Sequence, residues 1–508
     1  MVALGGCDAS APSPADETDD RDGPIPIGSV ADLRRVGDDA EYPLTANYVL
    51  TRDLDLSASV DWNDGAGFDP IGAPGAPFRG TFDGNGHTLS GLTIRRPEAD
   101  SVGVFATTRG ATVDHLTLRA VDVRGGDRVG AVVGMAASTT LSRVDGAGRV
   151  TADAEAGGLV GLQEGGRIET ASADVTVEVT NGFGGGLVGE SDGGALRGSV
   201  ASGRVTGATF LGGLVGTTED GPAGRASVRQ CLAQGDVTGT TRVGGLIGWT
   251  NSTDLRRSHA AGAVEGSDRN VGGLLGTATR GTVVLESSAE GTVSGDVNAG
   301  GLVGNVAGAP GDSVLIAEAA ATGAVAGTDN VGGLVGGVTH ARIAASFAEG
   351  AVAGEVRVGG VGGVVTNARV VQSFSTSAVT GDENVGGVAG GLDLGSVLRS
   401  SYAAGRVSGT AAVGGLVGQA RISRVETSYW DRAVTTQDEG FGSVDDASLD
   451  AQGLATQEMQ GALAADNMRG FDFTDTWRTE SDGYPSLRWV PPSAAATGWG
   501  DPAARARP

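Results

Sequence analysis

The stretch "DNVGGLVGGVTHARIAASFAEGAVAG", residues 329–354, decides the fold, because similar glycine-rich phrases stand on both sides of it. The last glycine of each VGGLVG-like phrase recurs in steps of 27 or 28 residues, with two steps of 32. A fixed period of about 20–50 residues indicates a solenoid or a related array. The glycines are Gly134, Gly161, Gly189, Gly216, Gly248, Gly276, Gly304, Gly336, Gly363, Gly390 and Gly418.

Small residues occupy a second fixed position in each repeat. Such a column predicts an inward-facing ladder with little room. Cys231 stands in it, so we expect a small buried residue there rather than part of a disulfide framework. The column consists of Val144, Ala171, Ser199, Cys231, Ser258, Ser287, Ala319, Ser346, Ser373, Ser401 and Ser428.

Each repeat is interpreted as three short strands, placed near residues 332–335, 342–347 and 350–353 of the quoted stretch, because apolar residues alternate there. Glycine suits tight corners and close backbone approach. Asn tolerates left-handed backbone, and it precedes the phrase at Asn270, Asn298, Asn330 and Asn384. The sequence therefore predicts an all-β, right-handed parallel β-helix, or β-solenoid, of about twelve three-strand coils.

Aromatic residues cluster on both sides of the array and predict caps for its two open ends. Helix-like patterns from Ser29 and from Thr456 fit short covering helices. We divide the chain into a truncated signal-peptide remnant (1–6), an acidic Ser/Pro-rich tether (7–24), an N-terminal cap with the first coils (25–100), the solenoid (101–430), a C-terminal cap (431–490) and a disordered tail (491–508).

The composition limits the classes of partner. Of 508 residues, 90 are glycine, and the basic residues are all arginine, which fits either a GC-rich genome or a salty habitat. The net charge of −25 repels phosphate backbones, so we expect no nucleic-acid partner. We expect a monomer. We also expect no membrane-spanning helix, because the sequence has no apolar run of the required ~20 residues.

The N-terminal "LGGC", residues 4–7, resembles a bacterial or archaeal lipobox, in which Cys7 becomes the lipidated first residue. The acidic tether that follows suits an anchor, although six residues are too few for a complete signal and suggest a start codon assigned too late. A chance cysteine in an unstructured tail is the alternative. The lipobox reading predicts a protein anchored on the extracellular face of the cell envelope, or secreted.

The repeat phrase "GGLVG" resembles the GLUG motif, and the flanking "PFRGTFDGNGHTLSGLTI" (77–94), "SYWD" (428–431) and "DGYPSLRW" (482–489) are similar to the usual flanks of such arrays. The resemblance covers roughly residues 25–490. It implies a secreted or surface β-solenoid of bacteria or archaea, in some members adhesin-like and in others joined to peptidases. It transfers no catalytic residue to this chain.

Acidic residues in the turns are candidates for a line of metal or sugar contacts, with Ca²⁺ as the possible ion; ordinary Asp and Asn turn chemistry is the alternative. Trp249 could stack on a sugar or cover a local bulge. The candidate contact residues are Asp268, Asp296, Asp329, Asp382 and Trp249.

The sequence shows no HExxH, no clustered Cys and His, and no break in the repeats that would mark a catalytic centre. We therefore expect a non-catalytic surface solenoid that serves adhesion or contact with an envelope or extracellular matrix, with an unidentified glycan or protein ligand. The alternative is a carbohydrate-active β-helix enzyme, either a polysaccharide lyase or a hydrolase. A groove in which carboxylates converge over neighbouring coils would favour that alternative.

Overall fold

Equivalent residues of successive repeats lie directly above one another. Val335 pairs with Val303 of the preceding coil and with Gly362 of the next, and all the paired strands of the array run parallel. This one-to-one register is the reason for the repeated sequence. The computed structural model describes residues 23–490, and about 13 coils stack in it, with 55% of residues in strands and 6% in helices. The predicted right-handed parallel β-helix is confirmed.

One strand per coil follows the glycine phrase, and these strands form a thirteen-stranded parallel sheet along one flank. Within each strand, side chains alternate between the interior and the surface. The strands are Phe105–Arg109, Val133–Ala137, Val160–Glu164, Val188–Asp192, Val215–Glu219, Ile247–Asn251, Leu275–Thr279, Val303–Ala307, Val335–Thr339, Gly362–Thr366, Ala389–Asp393, Val417–Arg421 and Phe441–Asp445.

The rest of each coil belongs to a second, larger parallel sheet. In the quoted stretch its strands are Asp329–Gly332, Ala341–Ala344, Phe347–Ala348 and Val352–Ala353. The first coils have longer strands: Thr93–Val102, Thr112–Gly130, Thr140–Ala152 and Ser172–Val179. The coil of the quoted stretch thus has five short strands where we predicted three.

The strand predicted at residues 332–335 is wrong, because Gly333 and Leu334 form a bend between two strands. A Cβ atom on Gly333 would lie 2.2 Å from the carbonyl oxygen of Gly360 in the next coil. The glycine phrase is therefore a corner at which stacked backbones approach closely.

The asparagines before the phrase adopt the predicted left-handed conformation, with φ of 61° at Asn270, 57° at Asn298 and 55° at Asn330. Their side chains also connect the coils. Asn298 Nδ2 donates to Asn270 Oδ1 and Asn330 Nδ2 donates to Asn298 Oδ1, each at 2.9 Å. The corner thus uses asparagine both for its backbone conformation and for a hydrogen-bonded amide ladder.

The small-residue column is buried as predicted, and its hydroxyls hold adjacent coils together. Ser346 is fully buried, and its Oγ accepts a hydrogen bond from the backbone N–H of Ala319 (3.2 Å) and donates to the carbonyl of Ala344 (2.8 Å). Cys231, 2% exposed, occupies the same position and is a free thiol.

The N-terminal end is covered by the helix Val30–Arg35, whose N-cap Ser29 accepts a hydrogen bond from the N–H of Asp32, as the pattern from Ser29 predicted. Two 3₁₀ turns, Ser57–Asp61 and Asn63–Gly65, follow the strands Ile25–Ile27, Tyr48–Leu50 and Leu54–Asp55. The rings buried at this end are Tyr48, Phe68, Phe78, Phe82 and Phe105.

The C-terminal segment differs from the expected end cap. Trp430 does pack into the main core at the last coils. The strands Phe441–Asp445 and Ser448–Leu454 still pair with the last coil. The residues after 455 fold back along the flank, where Trp477 lies 5.7 Å from the ring of Tyr402 and Trp489 Nε1 donates to the carbonyl of Ala345 (2.8 Å). The helix expected from Thr456 is a 3₁₀ turn, Thr456–Glu458, followed by Leu463–Asn467. The helix Arg432–Thr435 and the antiparallel pair Trp477–Arg478 and Ser486–Leu487 complete this segment.

Within residues 23–490, none of the helices has both the length and the apolar character needed to cross a membrane. Cys7, most of the tether and the tail from 491 to 508 lie outside the described residues, so the predictions for them stay predictions.

Candidate functional site

The repeat is least uniform on the surface of the thirteen-stranded sheet, over four neighbouring coils. The position after the last glycine of the phrase holds Glu190, Thr217 and Trp249 on successive paired strands. Two residues further along, Asp192 pairs with Glu219. Carboxylates and aromatic rings thus replace the small residues found here in later coils, such as Gly337 and Gly391.

A third column, on the corner before the phrase, forms the facing wall. Glu155 pairs there with Phe183, and Phe210 and Arg242 take the same position in the next two coils. Together these columns enclose a cleft of about 250 Å³, which we call the acidic cleft. It is lined by Phe183, Glu190, Phe210, Thr217, Glu219, Arg242 and Trp249.

The aromatic rings of the cleft pack edge to face. The ring centroids of Phe183 and Phe210 are 5.1 Å apart, and those of Phe210 and Trp249 are 6.4 Å apart. The guanidinium of Arg242 lies 4.9 Å above the ring of Phe210. All three rings are half-buried and so keep part of their surface open to a ligand. Trp249 lies in a strand that is paired with its neighbours on both sides.

Three carboxylates converge at one side of the cleft. One oxygen atom from each of Glu190, Asp192 and Glu219 lies within 4.8 Å of the other two. Burial, together with repulsion from Glu219, raises the pKa of Asp192 to about 6. Burial, together with repulsion from Glu155, also raises the pKa of Glu190 well above its ordinary value. Burial and repulsion from Asp127 raise the pKa of Glu155. Burial and mutual repulsion therefore disfavour the simultaneous ionisation of these carboxyl groups.

Some buried polar atoms of the cleft have no hydrogen-bond partner among the described residues. The hydroxyl of Thr217 is one of them, although the residue is only 2% exposed. Asp192 Oδ1, beside the cleft but outside its lining, is another. Buried polar atoms normally find a partner, which makes the Thr217 hydroxyl an unsatisfied group on the cleft wall.

The acidic residues predicted as a contact line lie elsewhere and remain apart. Asp268, Asp296 and Asp382 fall in one column of an exposed turn, where their backbone oxygens accept hydrogen bonds from the next coil. Asp268 pairs with Arg269 at 3.3 Å, and Asp329 pairs with Arg357. Within residues 23–490, Glu190, Asp192 and Glu219 are the one group of three close ligand atoms, and none of the four predicted aspartates belongs to it.

Of the predicted contact residues, the structure places only Trp249 in the acidic cleft. Sequence reasoning missed Glu155, Phe183, Glu190, Asp192, Phe210 and Glu219. A weak signal was present, because an alignment of the repeats on their last glycine places Glu190 and Trp249 at a position where no other coil has an acidic or aromatic residue.

No protein-family model matches this chain. A stretch of 147 residues is 41% identical to Halomucin of Haloquadratum walsbyi, and it makes up 28% of this chain and 2% of that protein. The chain therefore corresponds to a small part of the length of that relative. A solved structure from Bacteroides ovatus, provisionally assigned as an immunoglobulin A1 protease, aligns over 92% of this chain and 93% of its own. The identity is 13% and the TM-score is 0.23, too low to bear on fold or activity.

Proposed function

We propose that this chain is a non-catalytic, extracellular β-solenoid that serves adhesion or contact with an envelope or matrix, and that it binds its ligand in the acidic cleft. The observation that carries the proposal is the cleft itself, an aromatic and carboxylate-lined interruption in an otherwise uniform array. Half-buried rings beside polar groups suit a saccharide, which offers apolar faces and hydroxyls together.

Two further parts of the proposal concern family and location. The phrase, its period and its place at the corners support membership of the GLUG-type arrays. Similarity to a protein named Halomucin supports a place outside the cell. Anchoring through a lipid on Cys7 is checked by the intact mass of the protein isolated from its own cells, and an unmodified Cys7 on a cytoplasmic product contradicts it.

The adhesion proposal is tested with a panel of glycans and matrix proteins, screened against the full chain with and without calcium. We expect one ligand class to bind, and Trp249→Ala to weaken that binding roughly ten-fold, about 1.4 kcal/mol. Ile422→Ala, at a side chain 48% exposed and outside the cleft, is the control and should bind as the wild type does. Equal binding by both variants would show that the cleft is not the ligand site.

The convergence of carboxylates favours a second candidate, a carbohydrate-active enzyme. Glycoside hydrolases use a pair of carboxyl groups, one of which has a raised pKa and acts as the acid. Glu190, with its raised pKa, would take that role beside Asp192 or Glu219. Turnover of a polysaccharide by the wild type, abolished in Glu190→Gln, would establish this candidate in place of the adhesin.

A further inference from the structure

We infer that the acidic cleft is a binding site for a hard divalent cation of the Ca²⁺ class, with oxygen ligands from Glu190, Asp192, Glu219 and Thr217. This inference concerns the ion alone and stands whether or not the chain is an adhesin.

The first argument is geometric. Ca²⁺ takes oxygen ligands at about 2.3–2.6 Å, so its ligand oxygens lie up to about 5 Å apart across the ion. The oxygens of Glu190, Asp192 and Glu219 lie within 4.8 Å of one another and so fit a common sphere of this size. The all-oxygen composition selects a hard cation rather than zinc or copper.

The second argument is the hydroxyl of Thr217, which is independent of the carboxylates. Thr217 pairs with Glu190 on the adjacent strand, is only 2% exposed, and leaves its Oγ1 without a partner on the wall of the cleft. A buried hydroxyl oxygen with free lone pairs can supply a fourth ligand. Thr107 and Thr277, at the same position of other coils, also have unpartnered buried hydroxyls, but they do not line the cleft, so only Thr217 offers its oxygen beside the carboxylates.

The third argument concerns charge. Glu190 and Glu219 line the cleft, and Asp192 and Glu155 lie beside them. The one lining cation is Arg242, whose guanidinium lies over the ring of Phe210, and the cation nearest Glu155, Arg128, is already paired with Asp127 at 3.0 Å. Carboxylates held this close must be neutralised by protons or by a cation. The opening of the cleft leaves room for water to complete the coordination that Ca²⁺ prefers.

The test is isothermal titration of the chelator-stripped full chain with CaCl₂, compared with MgCl₂. We expect one saturable Ca²⁺ site per chain, and at least a ten-fold loss of affinity in the double variant Glu190→Gln/Glu219→Gln. The matched control Asp268→Asn/Asp382→Asn removes the same number of charges from exposed turns and should bind Ca²⁺ as the wild type does.

Far-UV circular dichroism and a thermal melt check that each variant is folded. If the double variant does not fold, two threonine variants replace it in the test. Thr217→Val should weaken Ca²⁺ binding several-fold, and the control Thr277→Val should leave Ca²⁺ binding unchanged. No saturable binding by the wild type would mean that protons alone neutralise the cleft, and it overturns the inference. Equal losses in the cleft and control variants would mean non-specific attraction to the acidic surface, and they overturn it as well.

Discussion

Asn330 and Gly333 have different roles at a single corner. Asn330 takes the left-handed conformation, at φ 55°, and donates its amide to Asn298 of the previous coil. Gly333 is needed instead for space, because the carbonyl oxygen of the next coil occupies the place of its Cβ. Glycine abundance here mainly reflects the close stacking of backbones, and the left-handed residues of the array include many that are not glycine.

The glycine argument predicts that Gly333→Ala destabilises the protein strongly. The added Cβ would meet the carbonyl oxygen of Gly360, which is backbone and cannot rotate away as a side chain could, so relief requires the coils to move apart. We expect a loss of at least about 1–3 kcal/mol of unfolding free energy, seen as a lower urea midpoint. Gly75→Ala, with open space around its Cβ, is the control. Similar midpoints for the two variants would contradict the prediction.

The acidic cleft predicts a pH dependence of stability in the absence of divalent cations. Burial raises the pKa of Glu155, Glu190 and Asp192 in the folded chain. At a pH between the unfolded-state and the folded-state pKa values, the folded state therefore binds more protons than the unfolded state. The contribution of these three carboxyl groups to the free energy of unfolding is complete below about pH 4, the usual pKa of an unfolded carboxyl group. It is lost as the pH rises through about 6 to 8, where the folded-state groups ionise.

The measurement is a series of thermal melts in EDTA from about pH 5 to about pH 8.5. We expect the melting temperature to fall across this range, and to fall less in Glu190→Gln, which cannot ionise. Asp127, Arg128, Glu164, Glu219 and Arg242 also face or line this region and are unchanged in the variant. A parallel decline in wild type and variant would assign the effect to other groups.

At the scale of elements, the period predicted the stack because each coil must match its neighbours in register. The number of strands was less predictable, since strand ends depend on bends such as that at Gly333 and Leu334, which apolar alternation does not reveal. The acidic cleft escaped prediction for a related reason. The repeat period puts Asp192 and Glu219 at the same position of neighbouring coils, but it does not show that they share a surface with Glu190 and with the corner column of Glu155 and Phe183.

The C-terminal segment was misplaced because the ladder that receives it was not recognised. In four successive coils near the C-terminal end, one aromatic ring follows the buried serine, and neighbouring rings such as Phe347 and Phe374 stack at 5.0 Å, with planes 4° apart. The four rings are Phe347, Phe374, Tyr402 and Tyr429. A row of large rings on a solenoid flank needs a cover, and Trp477, Phe471 and Met468 provide it.

The stacked rings predict that Phe374→Ala releases the C-terminal segment. Phe374 lies between Phe347 and Tyr402 and contacts Trp477, so its removal opens a cavity beneath the segment. We expect a cost of about 3–5 kcal/mol, concentrated in the segment rather than in the coils. Limited proteolysis should then cut after residue 455 at least ten times faster. Leu394→Ala, at a side chain 45% exposed, should be cut as the wild type is. An unchanged rate in Phe374→Ala would contradict the prediction.

For the whole molecule, the stacking of the coils stabilises the folded state, and the acidic surface destabilises it. Continuous coil-to-coil hydrogen bonding favours the stack, and the net charge of −25 opposes it by self-repulsion. Surface ion pairs between coils, such as Arg257 with Glu286 and Arg204 with Asp236, offset part of the repulsion. Exposed pairs are worth only about 0–1 kcal/mol each, so the excess of acids should dominate the response to salt.

Added NaCl should therefore stabilise the chain. Screening shortens the Debye length from about 10 Å at about 0.1 M to about 3 Å at about 1 M, which weakens repulsion among the many acids more than it weakens a few contact pairs. We expect the melting temperature, measured in EDTA at a fixed scan rate, to rise by several degrees over this range. The variant Glu190→Gln/Glu219→Gln removes two of 61 acidic residues and should keep most of the rise, which separates general screening from the cleft. A melting temperature that falls with NaCl would show that the ion pairs, and not the net charge, control the electrostatic stability of the solenoid.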